Sequence, residues 1–183
     1  MRWIILLAAA TIAIPFTIGF LAPNSGAAVS ERFLERPVGI PGEPSAGPAP
    51  LDEKNLRAWA TAEKTKGYAH IYAWRVIPLD LVYLIVFGGF LAFAAYTLAS
   101  SEIAPGNVLG KIPLMLWLVF PALYVVTDLL EDILIMTLLS KPETIVQGWV
   151  NTLSGLRWTK IVASGLSLLQ LFILGLGGAI RAT

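Results

Sequence analysis

The sequence predicts an all-α, polytopic membrane protein: four transmembrane helices, a Pro-rich first loop, and amphipathic segments at the membrane interface. Two observations carry that prediction. Hydrophobic residues make up 56% of the 183 residues and charged residues only 14%, where a soluble domain carries about 25%. Four apolar runs also reach the roughly 18 residues needed to cross a bilayer. Backbone polar groups in lipid must be satisfied inside their own segment, so such runs become helices.

The first run is Trp3 to Ala22, uncharged after Arg2, with Pro15 expected to kink it. Met1-Arg2 is a short basic start, and Ser25-Gly26-Ala27 resembles a small-x-small cleavage site. Residues 1–22 therefore read as a retained N-terminal span or as a signal peptide. Pro23 to Pro50 follows, with Pro37, Pro41, Pro44 and Pro48 among Gly, Ser and Ala, a composition that predicts an extended linker. Asp52 to Lys66 reads as a polar surface helix, with Asp52 as N-cap and a thin apolar stripe of Leu56, Trp59 and Ala62. Tyr68, Tyr72 and Trp74 then suit a membrane interface. Residues 23–75 thus form a loop with a surface helix, and residues 76–183 a three-helix membrane bundle.

Within that bundle the second run, Val76 to Ala99, carries only Asp80, and Pro105-Gly106-Asn107 marks the turn after it. The third, Ile112 to Leu139, contains Asp128, Glu131 and Asp132. Ser140-Lys141-Pro142-Glu143 has capping-box spacing with a proline in the first turn. Ile145, Val146, Trp149, Val150 and Leu153 continue it as an apolar face at helical spacing. That segment predicts a short amphipathic helix on the membrane surface, or an extension leading into the fourth run, Ile161 to Ile180, which Lys160 and Arg181 flank.

Several chemistries are excluded. The absence of cysteine removes disulfides, thiolate metal sites and cysteine nucleophiles, and the single histidine, His70, removes multi-histidine metal sites. No histidine lies in any apolar run, so axial ligation of haem within the bilayer has no support. No metal or cofactor is expected. A net charge of +1 gives no field for nucleic acid, leaving the lipid bilayer and other membrane proteins as the expected partners.

The candidate site follows from connectivity. In antiparallel neighbouring spans, the start of the second, the end of the third and the start of the fourth share one side. Asp80, Asp128, Glu131, Asp132 and Lys160 therefore gather in or near one leaflet. At about 100° per residue, Glu131, Asp132, Tyr124, Pro121 and Trp117 fall within roughly 60° of Asp128. Tyr83 shares the Asp80 face, and Ser164 the Lys160 face. Ionisable groups in spans usually face the bundle interior, which predicts one buried polar cluster with Tyr83, Tyr124 and Ser164 at its edge. Close carboxylates in a low-dielectric place share a proton, bind a cation or pair with a base. The cluster reads equally as a proton-accepting, cation-binding or catalytic site and as an Asp/Glu–Lys network that fixes helix packing.

Set side by side, the acid opening the second span, the Asp128-x-x-Glu131 pair and the lysine opening the fourth resemble a group of bacterial four-helix integral membrane proteins. In that group the third span carries Asp-x-x-Glu-Asn; here Asp132 replaces the Asn and adds an acid. The resemblance covers Leu51 to Ile180. It implies the four-helix fold and the same-side polar cluster, and no established activity.

The expected function is a small non-catalytic membrane subunit or accessory protein. The alternative is a membrane enzyme or carrier using the Asp/Glu/Lys cluster on a lipid-like or cationic substrate or a proton. The expected location is the bacterial inner membrane. Lys and Arg concentrate in the first and third loops, which by the positive-inside rule makes those loops cytoplasmic. The signal-like start argues the reverse and favours a periplasmic 23–75 loop, since the first span often dominates orientation.

Overall fold

Helix accounts for the apolar runs, and no strand occurs among the described residues. The computed structural model describes residues 2–21, 52–100 and 112–181; the Pro-rich linker and the Pro105-Gly106-Asn107 turn lie outside them. In chain order the elements are α1 (Arg2–Leu21), α2 (Glu53–Thr61), α3 (Glu63–Ile71), a π-helical turn (Tyr72–Val76), α4 (Ile77–Ser100), α5 (Leu114–Trp117), α6 (Val119–Ser140), a 3-10 turn (Pro142–Thr144) and α7 (Gln147–Arg181).

Among the described residues, two stretches are long and apolar enough to cross a membrane, Ala69–Ser100 and Gln147–Gly177. Two, rather than the expected four, pass by length and composition. Arg2–Thr17 of α1 is apolar but shorter. In the 22 residues of α6, Asp128, Glu131 and Asp132 interrupt the apolar run.

One open reading is decided and two local expectations are corrected. The 35 residues of α7 are one helix, so the segment before the fourth run is an extension of it and not a separate surface helix. Its apolar face is spent on protein: Ile145, Val150 and Leu153 are buried, while Val146 and Trp149 stay exposed. The capping box does not form. Ser140 closes α6, and Pro142 opens a single 3-10 turn whose N-cap, Lys141, makes no side-chain bond. The polar surface helix breaks at Ala62, which is extended and exposed; Ala60 is buried in its place beside Leu56 and Trp59.

The chain divides into two compact units, one of residues 1–14, 82–129 and 157–183, the other of residues 15–81 and 130–156. The second has an aliphatic and aromatic core in which Leu56, Trp59, Ala73, Ile77, Leu138, Ile145 and Leu153 are among the buried members. Tyr72 belongs to this core rather than to an interface. Each fully buried leucine or isoleucine stabilises such a core by about 2 kcal/mol relative to exposure.

Polar bonds fix α2 in that unit. The Asp52 carboxylate accepts from the Asn55 backbone N–H at 2.7 Å, the N-cap its position predicts. The Glu53 N–H donates to Gln147 Oε1 at 3.1 Å, and the Gln147 N–H donates to Glu53 Oε2 at 2.9 Å. Each side chain thereby satisfies an orphan donor at the start of the other's helix. Arg57 adds a bond to the Ile145 carbonyl.

In the first unit α4 and α6 approach through Gly88, where a Cβ would collide with the Val125 side chain. Phe87 meets Tyr124 edge-on beside it, with ring centroids 5.1 Å apart. A methyl group added at Gly89 or Gly175 would meet nothing within 4 Å, so of these three glycines only Gly88 mediates a close contact.

Candidate functional site

In the first unit an ion pair joins two of the predicted site residues. Asp128, in the third turn of α6, accepts from Lys160 Nζ at 2.7 Å through Oδ1. Its other oxygen accepts from the Tyr124 hydroxyl at 2.8 Å. Tyr124 and Asp128 are one helical turn apart, and the i, i+4 spacing brings hydroxyl to carboxylate. The Asp128 side chain is 4% exposed and that of Lys160 25%. Such a charge is tolerated inside protein only when paired and hydrogen-bonded, and both conditions are met.

Gln170, which sequence reasoning missed, forms a second polar link in the same unit. Its side-chain amide donates to the Trp117 carbonyl at 2.5 Å. The cause lies in α6: Pro121 has no N–H, so the carbonyl four residues earlier lacks its helical donor. That carbonyl is Trp117, at the end of α5, and Gln170 supplies the missing proton. The lone proline after Trp117 is the legible signal, because it predicts an orphan acceptor needing a side-chain donor.

In the second unit, a carboxylate oxygen of Asp80 and one of Asp132 lie within 4.8 Å of each other. Asp80 is partly buried in the first turn of α4, and Asp132 is 4% exposed on α6. Oxygens within that limit could both ligate one bound cation. Glu131, on the same turn of α6 as Asp132, is 3% exposed. Asp128, Glu131 and Asp132 thus all lie on the buried stripe of α6, as the 100° arithmetic predicts.

The secondary residues divide. Tyr124 joins the cluster. The Tyr83 ring stacks on Phe87 at 5.6 Å. The Ser164 hydroxyl donates to the Ile161 carbonyl of its own helix. Arg157, three residues before Lys160 on α7, is a further cation and is itself buried. Comparison with protein-family models, with curated proteins and with solved structures gives no match.

Proposed function

We propose that the chain is a four-span integral membrane protein of the bacterial inner membrane, its 23–75 loop periplasmic, serving as a non-catalytic subunit or accessory protein of a larger membrane complex. The supporting observation is the exposure of its most apolar helices. Only 28% of the span window in Ala69–Ser100 and 22% of that in Gln147–Gly177 is buried by protein. A core helix of a soluble protein with such hydropathy would be mostly buried, whereas lipid covers an exposed apolar helix at no cost. α6 suits a third span because its carboxylates are buried while Val126, Leu129, Leu130 and Ile133 are exposed. α1, exposing Trp3, Ile5, Ile12 and Phe16, suits the fourth. The likeness to bacterial four-helix membrane proteins agrees with this reading.

The non-catalytic role is favoured by Asp128, whose two oxygens are both engaged by Lys160 and Tyr124. A carboxylate so held orders helices. The test is mild-detergent extraction followed by affinity capture of the full chain. Stoichiometric membrane partners are the expected result, and recovery of the chain alone would overturn the subunit role. Release by an alkaline wash would overturn the integral one.

A second reading rests on Asp80 and Asp132, whose approach favours a carrier or enzyme handling a proton or a cationic or lipid-like substrate. Asp80→Asn that abolishes uptake or turnover while leaving assembly intact would favour it over the first.

A further inference from the structure

Tryptophan is treated in two opposite ways within the unit of residues 15–81 and 130–156. Trp59 is 6% exposed in its core, whereas Trp74 is 56% and Trp149 50% exposed. Neither exposed ring sits on a loose segment. Tyr72, Ala73, Val76 and Ile77 are buried around Trp74, and Val150 and Leu153 just beyond Trp149. The backbone is anchored on one side and presents the indole on the other. Arg75, beside Trp74, and Lys141, ahead of Trp149, are exposed as well.

Helix lengths give the two rings a common position. From Trp74 to Ser100 the helical path is about 39 Å, and from Trp149 to Arg181 about 48 Å, at about 1.5 Å per residue. A bilayer measures about 40–45 Å with its headgroups and about 30 Å without them. The two paths bracket that full thickness, so each tryptophan stands roughly one bilayer, headgroups included, upstream of the far end of its helix. Trp158, also half-exposed, is about 35 Å from Arg181, nearer the hydrocarbon thickness alone. An indole has an apolar body and a single N–H donor, and it partitions to the zone where hydrocarbon gives way to phosphate and water.

We infer that Trp74 and Trp149, with Arg75 and Lys141, form a docking surface for the phospholipid headgroup layer on the side of the membrane where α4 and α7 begin. The indoles insert among the headgroups and the two cations meet lipid phosphate. This rests on the integral-membrane reading and adds the depth at which the chain is held.

The absence of cysteine makes the test direct. Trp74→Cys and Trp149→Cys are each spin-labelled in the full chain, reconstituted in vesicles of phosphatidylcholine and phosphatidylglycerol in equal parts. Ile85→Cys and Leu169→Cys, at exposed apolar positions of α4 and α7, serve as references. Depth is read from the ratio of collisions with oxygen to collisions with a water-soluble nickel chelate. The expected result is reference labels deep in hydrocarbon and labels at 74 and 149 at headgroup depth. Reference labels in hydrocarbon with those at 74 and 149 fully in water, or equally deep, would overturn the docking surface and leave the membrane reading standing. Reference labels in water would overturn both.

Discussion

A section through the unit of residues 15–81 and 130–156 meets aliphatic side chains: Leu56, Ile77, Leu138, Ile145 and Leu153 are each at most 2% exposed. In the unit of residues 1–14, 82–129 and 157–183, many leucines, isoleucines and phenylalanines are exposed, Ile85, Leu168 and Phe172 among them. The contacts between its helices include a lysine–aspartate pair, a glutamine on a carbonyl, and a glycine under a valine. The core of the second unit is built as those of water-soluble domains are, by removing apolar area from solvent, while Leu130, Ile133 and Val146 outside it stay exposed. The first is built as if solvent were already apolar. Where lipid tails surround a helix, burying leucine against leucine stabilises nothing, and association falls to close packing and polar bonds.

The contrast is tested most severely at Lys160. Lys160→Met leaves the Asp128 carboxylate buried without its cation, and should cost about 4 kcal/mol in thermal unfolding in mild detergent. Pairing it with Asp128→Leu should restore most of the loss, since both charges then go together. If the single variant is silent, polar bonding does not hold the first unit.

Leu56→Ala is the matching cut in the second unit. A cavity at a fully buried leucine should cost about 3 kcal/mol, measured by the same unfolding or by protease cutting after Arg57. The cost should be the same in detergents of different chain length, because that core faces protein.

Gly88→Ala ranks third. The new methyl meets Val125, and the overpacking should cost about 2 kcal/mol. Adding Val125→Ala should recover it. The smallest effect is at Gln170, where Gln170→Leu returns the Trp117 carbonyl to its orphan state for about 1 kcal/mol. A gain in stability there would show that the carbonyl finds water or another donor, and would weaken the contrast.

Much of this architecture is legible in the residue order. The ends of α1 and α4 follow from hydropathy, since the apolar runs stop within a residue or so of the helices. The Asp128–Lys160 pair follows from leaflet connectivity and the Asp128 stripe. The continuity of α7 is one of two readings the residues allow, because Asn151, Ser154, Arg157 and Lys160 interrupt hydropathy between two apolar stretches. What decides it is the burial of Val150 and Leu153 against protein, a tertiary fact that their helical spacing alone does not fix. The reciprocal bonds of Glu53 and Gln147 are hidden for the same reason, as they tie residues 94 positions apart.

The π turn between α3 and α4 has a consequence for how this chain tolerates insertion and deletion. There the Ile77 N–H reaches back to the Tyr72 carbonyl, five residues rather than four, so one extra residue is wound into a continuous helix. That residue advances the phase of everything downstream by about 100°. Deleting any one of Tyr72 to Val76 would leave hydropathy and helix content nearly unchanged. Yet it would rotate α4 by that angle against α3, so that Ala69 and Ile77 could not both stay buried. A frame-preserving loss of a single codon here should be as damaging as a point change in the core, and a compensating insertion a few residues away should rescue it.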